Sequence, residues 1–239
     1  MCPNHFLDTS ILLGSRISWD SQFSHVSSYI NVADIQRISS KRAYNEAKGV
    51  LQRNRREILK YLDSLKNEFL NPGHPIINEA SVDRLSKKYC TTIENEKNCN
   101  ALTLFTNKNI YDITNALQDG NTMFDNYKLT IGRAFQTALN SLAIDCRTPE
   151  GAFIRRYDIC PQVYDQIYDT EQYRLMTLIN YIDDVKILLD SYFLQDRILE
   201  ENLFFITTDA THILRHKNDI EGILTGMSVS HPQDHYTAS

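Results

Sequence analysis

Two aspartates follow short apolar runs: Asp8 after Phe6-Leu7, and Asp209 after Phe204-Phe205-Ile206-Thr207-Thr208. An open α/β sheet binds its ligands at the carboxyl ends of its strands, so acids in those positions bear on chemistry more than acids on helix surfaces. The chain holds 30 aspartates and glutamates, so a single one at a chosen place is a cheap coincidence. Asp8 and Asp209 would also suit the N-caps of helices that follow them. Only an ordered set is informative. His212 and His216 have the i, i+4 spacing of helical zinc ligands, but no glutamate follows His212 as H-E-x-x-H requires, so they read as ordinary surface residues. Arg53, Arg55, Arg56 and Lys60 lie close together in sequence, either as a solvated helix face or as a track for phosphates. Arg155-Arg156-Tyr157 combines two phosphate-binding side chains with a ring on which a base can stack. The chain has no glycine-rich phosphate loop, nucleophile elbow or dinucleotide fingerprint.

Phe6-Leu7 reads as a short strand ending at Asp8-Thr9-Ser10, followed by a turn or short helix over residues 11–14, a helical stretch over about 18–29 and a strand over 35–39. From Ser40 to Phe69 proline is absent and Gly49 is the only glycine. Ala43, Ala47, Leu51, Ile58, Leu62, Leu65 and Phe69 recur there at helical spacing, which predicts one long amphipathic helix carrying Glu46 and stopped by Asn71-Pro72-Gly73. Helices over 81–89, 101–117 and 122–144 follow, closed by Cys146-Arg147-Thr148-Pro149-Glu150-Gly151. A helix starts near Thr170, and a second runs from about Val185 or Asp190 to Glu201. Phe204-Phe205-Ile206-Thr207 is then a continuous apolar run suited to a parallel strand buried on both faces. A short helix over 210–214 and a last strand at Met227-Ser228-Val229 complete the pattern. The expected organisation is an α/β domain made of residues 1–70 and 171–230, a helical insertion or subdomain over 71–170, and a flexible tail over 231–239.

A chain of 239 residues can bury a core without staples, and 42% hydrophobic with 23% charged residues excludes a disordered or purely coiled-coil protein. With 8 glycines and 6 prolines, a many-turned all-β fold is disfavoured. The net charge of -5 provides no global field to hold a nucleic acid, so any such contact must be local. No segment has the apolar length of a membrane span, and the first residues lack the basic-then-apolar form of a signal peptide; no membrane association and a cytoplasmic address are expected. The five cysteines form no C-x-x-C pair, which predicts reduced thiols and argues against a zinc site built from Cys90, Cys99, Cys146 and Cys160.

Four segments occur in a telling order: Phe6-Leu7-Asp8-Thr9-Ser10; Ile38-Ser39-Ser40 followed by Glu46; Asp190-Ser191-Tyr192-Phe193-Leu194; and Phe205-Ile206-Thr207-Thr208-Asp209. Together they resemble the signature of PIN-domain nucleases: an opening strand and first acid, a strand and serine before a helix-borne glutamate, an aspartate beginning a late helix, and a strand-end T-x-D. The resemblance covers roughly the first 60 and last 55 residues. It implies a PIN-like three-layer α/β/α fold with a central, mostly parallel sheet and a helical insertion. It further implies a metal site in which Asp8 is the central ligand and Glu46, Asp190 and Asp209 complete the pocket, with Thr207 and Ser10 orienting carboxylates. Asp184, earlier on the same helix, is the alternative to Asp190 as third acid.

Clustered carboxylates without histidine or cysteine suit Mg²⁺ or Mn²⁺, hard ions that prefer oxygen ligands. Such ions answer the charge that accumulates on phosphate oxygens during in-line hydrolysis. The expected function is a metal-dependent endoribonuclease whose RNA substrate is held by Arg53, Arg55 and Arg56. The alternative is a catalytically silent PIN-like scaffold that binds RNA or protein. The helical insertion is the expected place for a protein partner, and the sequence leaves monomer and homodimer both open.

Overall fold

The computed structural model describes residues 2–70, 76–93, 96–160 and 167–236. In chain order its elements begin with β1 (Asn4–Leu7), α1 (Thr9–Gly14), α2 (Phe23–Ile30), β2 (Gln36–Ser40), α3 (Lys41–Phe69), α4 (Glu79–Cys90), α5 (Glu96–Gln118) and α6 (Asn121–Asp145). They continue with β3 (Cys146–Arg147), β4 (Ile154–Tyr157), α7 (Asp169–Leu178), α8 (Ile182–Leu194), β5 (Leu203–Ile206), α9 (Lys217–Ile223) and β6 (Met227–Ser230). Two compact units divide the chain: Met1–Ser18, Gln22–Lys48 and Ser141–Ser239 form the first, and Trp19–Ser21 with Gly49–Asn140 the second.

The first unit is built on one six-stranded sheet in the order β3-β4-β2-β1-β5-β6, with every pairing parallel. Helices flank it, so the fold is the expected three-layer α/β/α, with a sheet that is wholly parallel. The central strands have no solvent face: all four residues of β1 are buried, as are Leu203, Phe205 and Ile206 of β5. Phe6 and Phe205 are register partners whose rings stack with centroids 5.5 Å apart. From β1 the sheet grows on one side through β2, β4 and β3, and on the other through β5 and β6. The direction of growth switches between β1 and β5. That is the place where open α/β sheets form a ligand crevice outside their carboxyl ends.

Several boundaries depart from the sequence reading. The stretch expected to be a helical insertion, 71–170, contributes β3 and β4 to the sheet. Arg155-Arg156-Tyr157 is too polar to read as a strand, because its side chains are half-buried at a sheet margin and lack an apolar alternation. The late helix begins at Ile182, with Asp183 and Asp184 in its first turn, where carboxylates favour the helix dipole; Asp190 lies in its interior. Residues 210–213 form turns, followed by a 3-10 helix over Leu214–His216 and then α9. The described part of the stretch expected to be a flexible tail contains a 3-10 helix over Pro232–His235, capped by His231. The expected helix stop at Asn71-Pro72-Gly73 lies outside the described residues.

The second unit is helical among its described residues, formed by the greater part of α3 with α4, α5 and most of α6. Tyr61, Leu62, Leu65, Phe105, Phe124 and Phe135 fill its core, and Trp19 sets its edge against the rings of Phe105 and Phe135 at 5.3 Å each. Asn78 caps α4 through a reciprocal bond pair with Ser81. Cys90 and Cys99 are joined in a disulfide between the end of α4 and the first turn of α5, which corrects the expectation of reduced thiols for this pair. The Cα atoms of the two residues lie 5.2 Å apart, a proximity that spacing alone does not reveal. Among the described residues no helix is long and apolar enough to cross a membrane.

Candidate active site

Asp8 is the first residue past β1. Its amide donates to the Ile206 carbonyl at 3.1 Å, continuing the β1/β5 pairing, and its own carbonyl accepts from Ile11 and Leu12 to start α1. The backbone thus starts the helix without a side-chain cap, and the carboxylate is left for other contacts. Its Oδ2 accepts from the Ser10 hydroxyl at 3.0 Å and from the Thr207 hydroxyl at 2.8 Å. Only 6% of Asp8 is exposed. Burial pushes its carboxyl up to about 6, and the nearby charge of Glu46 adds to the rise, while bonds from Thr207, Ser10 and the Thr9 backbone oppose it.

Glu46 reaches the same place from α3. The Thr9 hydroxyl donates to its Oε2 at 2.8 Å and also lies 3.4 Å from the Ala43 carbonyl one turn earlier. Thr9 therefore ties the residue beside Asp8 to the helix that follows β2. Thr207, at the end of β5, joins Asp8 to the next loop by donating to Asp8 and accepting from the Asp209 amide at 3.0 Å. Ser10 reinforces that link by accepting from the Thr208 amide at 3.0 Å.

Asp209 combines capping with a second possibility. Its Oδ1 accepts from the amides of Thr211 and His212 at 2.9 Å each, an Asx-type closure of the turn. Its Oδ2 lies 3.1 Å from His212 Nδ1. Asp184 projects from the first turn of α8 to this pair, and one ligand atom from each of Asp184, Asp209 and His212 lies within 4.8 Å of the others. Two carboxylates and an imidazole form a donor set that fits a divalent ion with some tolerance for nitrogen. The expected all-oxygen cage did not include the imidazole. The signal for it was available, since Asp209 and His212 are three residues apart and share one turn.

Asp190 is only 2% exposed, and its Oδ2 lies 3.6 Å from Arg42 Nε on α3. The structure thus brings Asp8 together with Glu46, and Asp209 together with Asp184, while Asp190 is ion-paired with a cation. Arg53, Arg55 and Arg56 belong to the second unit: Arg53 and Arg56 are exposed, Arg56 pairs with Glu57 at 3.2 Å, and Arg55 donates to Gln136 at 3.3 Å. His216 lies 4.0 Å from Asp219. In comparisons with family models, curated proteins and solved structures, nothing matches the chain.

Proposed function

We propose that the chain is a Mg²⁺- or Mn²⁺-dependent endoribonuclease of PIN-like type. The observation that carries this reading is the placement of Asp8 and Asp209 just beyond β1 and β5, at the switch in sheet order, with Glu46, Asp184 and His212 drawn in around them. In this reading Asp184, Asp209 and His212 hold a divalent ion, and Asp8 and Glu46 form the neighbouring acidic wall. A bound ion supplies positive charge against the negative charge that builds on phosphate oxygens during hydrolysis. Ser10 and Thr207 fix the Asp8 carboxylate in one orientation, and Thr9 does the same for Glu46, so these acids need little rearrangement when substrate arrives. Asp190, taken from sequence as a ligand, is assigned instead to orienting Arg42 at the start of the glutamate-bearing helix.

The test is cleavage of an end-labelled RNA by the full chain with Mn²⁺, Mg²⁺ or excess EDTA. Metal-dependent internal cleavage that Asp209→Asn abolishes is the expected result; equal cleavage by that variant overturns the assignment. A second reading, a catalytically silent PIN-like scaffold that binds RNA or protein, is favoured by the Asp190–Arg42 ion pair, which commits one buried acid to a cation. RNA binding without cleavage under any of these metal conditions would select it.

A further inference from the structure

We propose that Arg155 and Tyr157, with Arg147 beside them, form a platform on which an unpaired nucleotide of a single-stranded nucleic acid stacks, beside the acidic cluster and on the same edge of the sheet. Every strand is parallel, so the carboxyl end of β4 emerges on the edge that carries Asp8. The register fixes the level: Phe6 pairs with Ile38 and Ile38 with Arg155, so two residues further along Asp8 is level with Ser40, the register partner of Tyr157. Two strand spacings separate them, about 10 Å. A chain whose scissile phosphate lies at the acids reaches the platform with a nearby nucleotide.

The chemistry matches such a ligand. Arg155 lies over the Tyr157 ring at 4.9 Å, so a half-buried ring is held by a guanidinium, while Arg156 alternates to the opposite face of β4 and lies over Tyr44 there. A base stacks on rings and guanidinium planes alike, and Arg147 and Arg155 can meet the adjoining phosphate. The local charge also favours an anion. On this face Arg147 and Arg155 stand beside Glu150, in a chain whose net charge is -5. Arg147 and Arg155 are register partners on neighbouring strands, an arrangement in which like charges repel until something negative is supplied. The carboxylate nearest Arg155 is Glu150, at 3.7 Å and 89% exposed, too solvated to compensate the pair.

The choice of polymer rests on the nuclease reading, whereas binding at the platform is measured without catalysis. The experiment follows fluorescence anisotropy of a short labelled single-stranded RNA with the full chain in EDTA, competed by unlabelled single strand, by duplex of the same sequence and by mononucleotide. Only the unlabelled single strand should displace it. Tyr157→Ala should weaken binding about fivefold or more, Tyr157→Phe and Tyr44→Ala should keep the parent affinity, and Arg147→Gln should reduce the salt dependence. Parent affinity in Tyr157→Ala, loss in Tyr157→Phe, loss in Tyr44→Ala, equal displacement by duplex or mononucleotide, or no binding by the parent would overturn the platform. A parent that binds with these dependences but cleaves nothing in Mn²⁺ removes the nuclease reading alone. Cleavage together with unchanged affinity in Tyr157→Ala removes the platform alone.

Discussion

The two ends of β1 bury ionisable groups by the same means and to opposite effect. At the carboxyl end, Asp8 is 6% exposed and its carboxyl is pushed up to about 6; at the amino end, His5 is 1% exposed and its imidazole is pushed down to about 3. Burial is the leading cause in both, because low dielectric penalises whichever form carries charge. The surroundings differ. Asp8 receives two hydroxyl donors, which favour its charged form. His5 is enclosed by Tyr29, Phe204 and His235, with Arg37 and His235 opposing a positive charge. One end is furnished to keep a charge at a cost, and the other to do without one. A binding site needs the first arrangement and a packed core the second.

The largest effect should come from removing the charge at the costly end. Asp8→Asn keeps the volume and removes the negative charge, so the proposed cleavage should fall roughly a thousandfold, measured as a single-turnover rate. Stability should move the other way. The folded carboxyl, at about 6, lies above its unfolded value of 3.8, so its contribution is intact below 3.8 and is lost as pH rises through 6. At neutral pH the parent therefore carries a penalty of about 2–3 kcal/mol, which the variant should partly recover. An Asp8→Asn protein that loses stability at neutral pH would show that the hydroxyl donors outweigh the burial cost.

The next effect belongs to the amino end. A histidine whose folded value lies below its unfolded 6.5 contributes fully above 6.5, and that contribution falls as acid protonates the unfolded chain. In an Asp8→Asn background, which silences the opposing carboxyl, stability should drop by about 2 kcal/mol between pH 6.5 and about pH 5. Urea unfolding at the two pH values measures it. Adding His5→Phe should flatten the slope, because phenylalanine keeps the ring contacts without a titrating nitrogen. An unchanged slope would transfer the acid response to His231 or His235, whose imidazoles burial also pushes down.

How much of this contrast the sequence revealed depended on whether a residue acts locally or through partners distant in the chain. Asp8 and Asp209 were legible because an apolar run followed by an acid is a local pattern, and the long periodicity of α3 placed Glu46 on a helix. Asp184 was passed over for Asp190 because the interval to Thr207 suggested a later helix start, whereas two acids in a first turn were the better marker of where α8 begins. His212 is legible as a ligand only beside Asp209, three residues before it, and not in the spacing of a zinc protease. β4 is hidden because its residues form a strand only through pairing with β2, more than a hundred residues away, and β3 is a two-residue strand that forms only against β4. The histidine cluster was invisible for the same reason: His5 and His235 stand at opposite ends of the sequence and their rings meet at 4.5 Å.

A smaller change sharpens the amino end. The Tyr29 hydroxyl and His5 Nδ1 are 2.9 Å apart, the bond that satisfies a buried ring nitrogen. Tyr29→Phe removes one partner and leaves that nitrogen in an apolar enclosure, at a cost of about 1–2 kcal/mol. The denaturant midpoint should fall with an unchanged slope. A midpoint equal to the parent's would mean that water replaces the hydroxyl.

The smallest change separates orientation from charge at the carboxyl end. Ser10 donates to Asp8 and accepts from the Thr208 amide, so it both stabilises the carboxylate and fixes the loop that carries Asp209. Ser10→Ala leaves Thr207 as the remaining hydroxyl donor to Asp8, and losing a donor to the charged form should raise the Asp8 carboxyl further above about 6. Stability should change by no more than about 1 kcal/mol, since the lost bond is offset by an acid that ionises less at neutral pH. A carbon-detected NMR titration of the Asp8 carboxyl measures the direction, and the Asp209 amide reports whether the loop has moved. If the carboxyl rises while that amide stays in place, Ser10 acts on Asp8 through its hydrogen bond. If the amide moves and the carboxyl does not, Ser10 is a loop tether, and the charge-holding character of this end rests on Thr207 and the Thr9 backbone.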